Sequence, residues 1–110
     1  MHNRRRSERI STNFPIIYVV PNVSGQIETQ GLGIALDISM DGMMFESNEP
    51  IEATELYIRA SSNDGDSMKV EGILVYSMPH SNGKYRSGIS FKGASDQVSN
   101  FVDEVLSRPL

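Results

Sequence analysis

The sequence predicts a mainly β fold: about six short strands closing into a small antiparallel barrel, with one amphipathic α-helix at the carboxyl end. Three observations predict it. Segments rich in β-branched and aromatic residues recur at short intervals, separated by Gly, Pro, Asn and Asp turns. Several alternate apolar with polar residues, as a strand with one buried face must. After Phe91 the apolar period lengthens to that of a helix. Closing the strands into a barrel removes the exposed edges they would otherwise present.

The elements follow in order. Residues 1 to 12 are polar and charged, and they read as a flexible basic arm ahead of a single barrel domain over residues 13 to 110. The first strand spans Phe14 to Val20, with Pro15 near its start, where a strand tolerates it. Pro21-Asn22-Val23-Ser24-Gly25 is turn chemistry. Gln26 to Ile38 reads as a strand interrupted at Gly31 and Gly33 by a bulge or a sharp bend. After a turn at Asp41-Gly42, Met43-Met44-Phe45 makes a short strand that closes at Ser47-Asn48-Glu49-Pro50. Glu55 to Ala60 places Leu56, Ile58 and Ala60 opposite Tyr57 and Arg59. A solvent loop follows over Ser61 to Ser67. Met68 to Tyr76 reads as a strand whose apolar phase shifts across Gly72. Asn82-Gly83 is a hairpin signal that joins it to Lys84 to Phe91. Val98, Phe101, Val102, Val105 and Leu106 then form a helical stripe over about residues 95 to 107, with Ser95 as cap, Asp96 at the positive end and Pro109 as the stop.

A chain of 110 residues has room for one core and no second. The formal charge is −4, but four Arg against one Glu give residues 1 to 9 a charge of +3, leaving −7 on the rest. An acidic body argues against a general nucleic-acid binder, and eight Phe and Tyr without a Trp make a poor single-strand platform. Without Cys there is neither a disulfide framework nor a thiolate metal site, which suits a reducing compartment. The longest apolar run, Ile16 to Val20, is too short to span a bilayer, and no signal-like segment follows the basic start. These features describe a cytoplasmic protein without membrane insertion. His2 and His80 have no ligand-spaced partners, Ser39 has no placed His, and no phosphate loop is present, so catalytic, metal and cofactor roles are not expected.

Two stretches suggest binding chemistry. Arg4-Arg5-Arg6-Ser7-Glu8-Arg9 concentrates guanidiniums as nothing else in the chain does. Asp37-Ile38-Ser39-Met40-Asp41-Gly42, read as a strand entering a turn, sets Asp37 and Ser39 on one face and Leu36, Ile38 and Met40 on the other. Arginine forks match phosphate oxygens and the O6 and N7 acceptors of guanine, and a carboxylate matches the base's donor edge. Asp-x-Ser before Gly also makes a common local turn, and terminal arginines are often only solvated charge. Together, ahead of a β-rich body, they suit a guanine nucleotide.

The chain resembles the PilZ domain family of bacterial cyclic di-GMP receptors. The family signature is R-x-x-x-R in an amino-terminal arm and, about one strand pair later, [D/N]-x-S-x-x-G. Arg5 and Arg9, then Asp37, Ser39 and Gly42, match it, and Gly88-Ile89-Ser90-Phe91 resembles the family's G-[IVL]-x-F strand. The resemblance covers essentially the whole chain. It implies a six-stranded antiparallel barrel with a carboxy-terminal helix, and cyclic di-GMP as ligand rather than a cofactor. Arg5 and Arg9 would hold phosphates and guanine edges, Asp37 and Ser39 would bond a guanine, and Gly42 would keep the turn compact. Arg6 and Gly88 are further candidates. Arg4 accompanies, in the family, binding of a stacked, intercalated ligand dimer. Asp41 stands where many members carry Gly, which implies somewhat weaker affinity. The expected mechanism is ordering of the arm on the ligand and signalling to a separate protein. The alternative is a PilZ-like adaptor for motility or pilus function that binds no nucleotide. Tyr57, Tyr76 and the Met residues are candidate surface contacts of a monomer or weak dimer, with core packing the expectation for most Met.

Overall fold

The structure is a computed structural model that describes residues 8–22, 29–61, 65–93 and 95–107. Six antiparallel strands close a barrel in the order β1-β2-β3-β6-β5-β4: β1 (Ile10–Val20), β2 (Thr29–Ile38), β3 (Gly42–Ser47), β4 (Glu55–Ser61), β5 (Ser67–Pro79) and β6 (Tyr85–Lys92). One helix, α1 (Ser95–Leu106), follows. The barrel is two three-stranded meanders sealed along two seams. β3 pairs with β6 along its whole length, from Gly42 opposite Ser90 to Ser47 opposite Tyr85. β1 pairs with β4 only from Ile17 opposite Arg59 to Val19 opposite Tyr57.

Alternation fills the interior. Phe14, Ile16 and Tyr18 of β1 meet Ala35, Met43, Phe45, Leu56, Ile58, Val70 and Ile89 in one core, and Tyr18 stacks on Phe45 at 5.8 Å between ring centroids. Burial pushes the Tyr18 phenol above its ordinary pKa, and the charge of Glu49 pushes it further. The hairpin between β5 and β6 turns through Asn82, at φ 65°, and Gly83, at φ 74°, with the His80 N–H donating to the Lys84 carbonyl at 2.7 Å. Ser77 and Ser87 hydroxyls lie 2.9 Å apart, and Ser77 also accepts from the Ile51 N–H at 2.9 Å, which pins the β3–β4 connection to the wall.

Helix α1 packs against β1, β5 and β6, strands from both sides of the barrel, so it crosses the barrel mouth. Val98, Phe101, Val102 and Val105 are buried, and Phe101 meets Phe91 edge-on at 6.2 Å. A 12-residue helix is marginal by itself; each of these side chains contributes about 1.5–3 kcal/mol by leaving water, and that holds it in place.

Four expectations need correction. Strand β1 starts at Ile10, so residues 10–12 belong to the wall and not to a flexible arm: Ile10 pairs with Ile38 and Ser11 with Asp37. A register shift between Ser11 and Phe14 breaks the apolar alternation that would have marked them as strand. Next, β2 is not bulged at its glycines. Gly31 lies in register opposite Tyr18, and a Cβ there would fall 2.2 Å from the Tyr18 hydroxyl oxygen, so this glycine makes room for a ring. In β5 the inward phase continues through buried Gly72 to Leu74, while Ile73 and Val75 are 41% and 67% exposed. The shift comes later, where Val75 is an extra residue between Leu74 opposite Ile89 and Tyr76 opposite Gly88. Lastly, alternation was expected to pair Ser39 with Asp37 on an outward face, but Ser39 is buried beyond the strand's end. The expected features at residues 23–28, 62–64 and Pro109 lie outside the described residues.

Candidate functional site

A bulge positions Asp37. In β2 the inward positions are Gly31, Gly33 and Ala35, so strict alternation would turn Asp37 into the core. Ala35 pairs with Phe45 and Asp37 with the adjacent Met44, which makes Leu36 an extra residue in β2. The phase flips there. Ile38 becomes fully buried and Asp37 faces outward, opposite Ser11. The Arg9 guanidinium, just ahead of β1, donates from Nη1 to Asp37 Oδ1 at 2.7 Å, with the two side chains 50% and 23% exposed. An ion pair that open to water is worth about 0–1 kcal/mol, so another partner can exchange with either member at little cost.

Ser39 and Gly42 hold the turn that follows. The Ser39 N–H donates to the Gly42 carbonyl at 2.8 Å, while its Oγ accepts from the Asp41 N–H at 3.0 Å and the Gly42 N–H at 3.3 Å. Ser39 is 4% exposed, and its hydroxyl is bonded within the turn. Gly42 is required by the seam: a Cβ there would lie 2.1 Å from the Ile89 carbonyl oxygen. The Asp41 carbonyl accepts from the Phe91 N–H at 2.8 Å, so the turn is also tied to the end of β6, close to α1.

Register carries the outer wall onward from Asp37. Asp37 lies opposite Met44, Met44 opposite Gly88 and Gly88 opposite Tyr76, one row across β2, β3, β6 and β5. Beside it, Arg86 donates from Nε to Glu46 Oε2 at 3.2 Å across the same seam. The structure thus brings Arg9, Asp37 and Gly88 to one wall and sets Ser39 and Gly42 at its edge. Arg4, Arg5 and Arg6 lie outside the described residues. The sequence marks Tyr76, and Met44 among the Met residues, only as candidate surface contacts. A two-residue Asn82-Gly83 turn counted back from the sequence sets Tyr76 against Ile89; the connection is three residues, Ser81–Gly83, and that shift puts Tyr76 against Gly88. The β3–β6 seam that adds Met44 and Asp37 has no local signal. Among the described residues no group of three or more His, Cys, Asp or Glu could hold a metal ion, and no helix is long and apolar enough to cross a membrane.

The PilZ domain family model matches residues 3–106. No curated protein matches the sequence. The solved PilZ domain of CeSA from a cellulose-synthesizing bacterium is similar, at 20% identity and a TM-score of 0.64 over 91% of this chain and 96% of that one. So is the PilZ domain with c-di-GMP of YcgR from Escherichia coli, at 16% identity and a TM-score of 0.63 over 96% and 91%. MrkH of K. pneumonia in its apo state is similar at 10% identity and a TM-score of 0.65, over 97% of this chain and 53% of that one. At such identities the structures share a fold. The family model, spanning the barrel and its helix, settles the family: the chain belongs to the PilZ domain family.

Proposed function

We propose that this protein is a receptor for cyclic di-GMP that passes ligand binding on to a separate protein. The observation that carries the reading is Asp37, turned outward by the Leu36 bulge and held by Arg9 at 2.7 Å. A carboxylate on an open wall beside Arg9, in a sequence that carries Arg4, Arg5 and Arg6 just ahead of it, has what the ligand's guanines and phosphates require. The family's usual role supports the reading, as does the YcgR PilZ domain, which was solved with c-di-GMP.

In this mechanism a guanine donor edge replaces Arg9 at Asp37. The freed Arg9 fork joins Arg5 on phosphates and on the guanine O6 and N7 edge, and Arg4 and Arg6 add charge. Ser39 and Gly42 act through the turn's shape. The arm closes over the ligand, ordering entropy is offset by charge-assisted hydrogen bonds, and a cytoplasmic partner reads the remodelled wall. Nothing in this scheme involves bond making or breaking. Calorimetric titration with cyclic di-GMP tests it: saturable heat is expected, and no heat at high ligand concentration would end the proposal.

A further inference from the structure

We propose that Tyr76, with Met44 beside it, is the platform on which a purine of the ligand stacks; this rests on the cyclic di-GMP reading and assigns the subsite next to Asp37. Three observations carry it. Tyr76 ends the outward row that begins at Asp37 and passes through Met44 and Gly88. Strands lie about 4.8 Å apart, so Met44 stands about 5 Å and Gly88 about 10 Å along the wall from Asp37, within reach of one two-purine ligand. Second, Gly88 leaves a hollow that the ring occupies: a Cβ on Gly88 would fall 2.4 Å from Tyr76 Cε2 and 2.7 Å from Cζ. The ring is therefore laid back over β6 toward Asp37 rather than standing in solvent. Third, Tyr76 keeps 38% of its surface exposed, whereas Tyr18, which covers Gly31 inside the barrel by the same cross-strand pairing, keeps 5%. The inner ring serves the core. Among the described residues no layer covers the outer ring, and it lies in line with the carboxylate that would hold a base.

A tyrosine face stacks on any purine, and the Met44 thioether suits the edge of such a stack. The Val75 bulge makes the arrangement work, since without the extra residue Tyr76 would point inward and Val75 would face Gly88.

The test is cyclic di-GMP titration of the full chain and of three variants, each checked for an unchanged unfolding midpoint. Tyr76→Leu keeps an apolar cover over Gly88 but removes the aromatic face, and it should weaken binding about tenfold or more. Tyr76→Phe should bind within about twofold of the parent. Tyr76→Trp adds a fluorophore to a chain that has no Trp, and its emission should quench as the ligand saturates. Binding by Tyr76→Leu equal to the parent, or equal loss in the Phe and Leu variants, overturns the platform and leaves the receptor reading standing. Absence of binding by the parent chain takes down both.

Discussion

The two ends of the D-x-S-x-x-G segment, only a few residues apart, are built differently. At one end Asp37 lies on the open wall and its partner Arg9 is half exposed, joined by a single contact. At the other end Ser39 is 4% exposed, with its hydroxyl and N–H engaged within the turn, and Gly42 is pressed against the Ile89 carbonyl. The difference teaches that one motif holds two kinds of residue. Those at the turn keep the wall in shape, and those at the bulge present exchangeable charge.

Variants can break or sharpen that division. The largest expected effect is at Gly42→Ala, where a methyl group must displace the backbone of the β3–β6 seam; chemical denaturation should show a loss of about 3 kcal/mol. A loss below about 0.5 kcal/mol would show that the seam yields, and the turn would no longer count as rigid. Ser39→Ala leaves two N–H groups in the turn without their acceptor and should lower stability by about 1–2 kcal/mol in the same experiment. Arg9→Ala and Asp37→Asn should each change stability by less than about 0.5 kcal/mol, yet each should weaken cyclic di-GMP binding at least tenfold by calorimetry. If either variant instead unfolds readily, the open pair is structural and the division fails.

The smallest effect extends the contrast to a buried polar group away from the motif. Tyr18 is held neutral in the core, with its pKa raised by burial first and by Glu49 second. A folded-state pKa above the unfolded value means this contribution is complete below about pH 10 and is lost as pH rises through the folded pKa. Tyr18→Phe should therefore show a shallower fall in unfolding midpoint above pH 10 than the parent. Parallel curves would show that the phenol gains access to water before the barrel opens.

Much of this molecule was legible before the structure. Period-two apolar residues marked the strands, Asn82-Gly83 marked a hairpin, the spacing of Val98, Phe101, Val102 and Val105 marked α1, and the arginine and Asp-x-Ser stretches marked the candidate site. Each of these signals is local, set by side-chain alternation, turn geometry or helical pitch. The bulges were misplaced. Glycines in β2 and β5 suggested breaks that are in fact close approaches of rings and strands, whereas the extra residues are Leu36 and Val75, whose types signal nothing.

The sequence by itself thus determined the number of strands, the hairpin joining the last two, the covering helix and the identity of the residues available for binding. Only the tertiary structure decided which strands meet at the two seams, and therefore that Asp37, Met44, Gly88 and Tyr76 share one row of the wall. The physical reason is that closing the barrel makes register depend on strands distant in sequence. One inserted residue then reverses which side chains face water, and nothing local to that residue records the reversal.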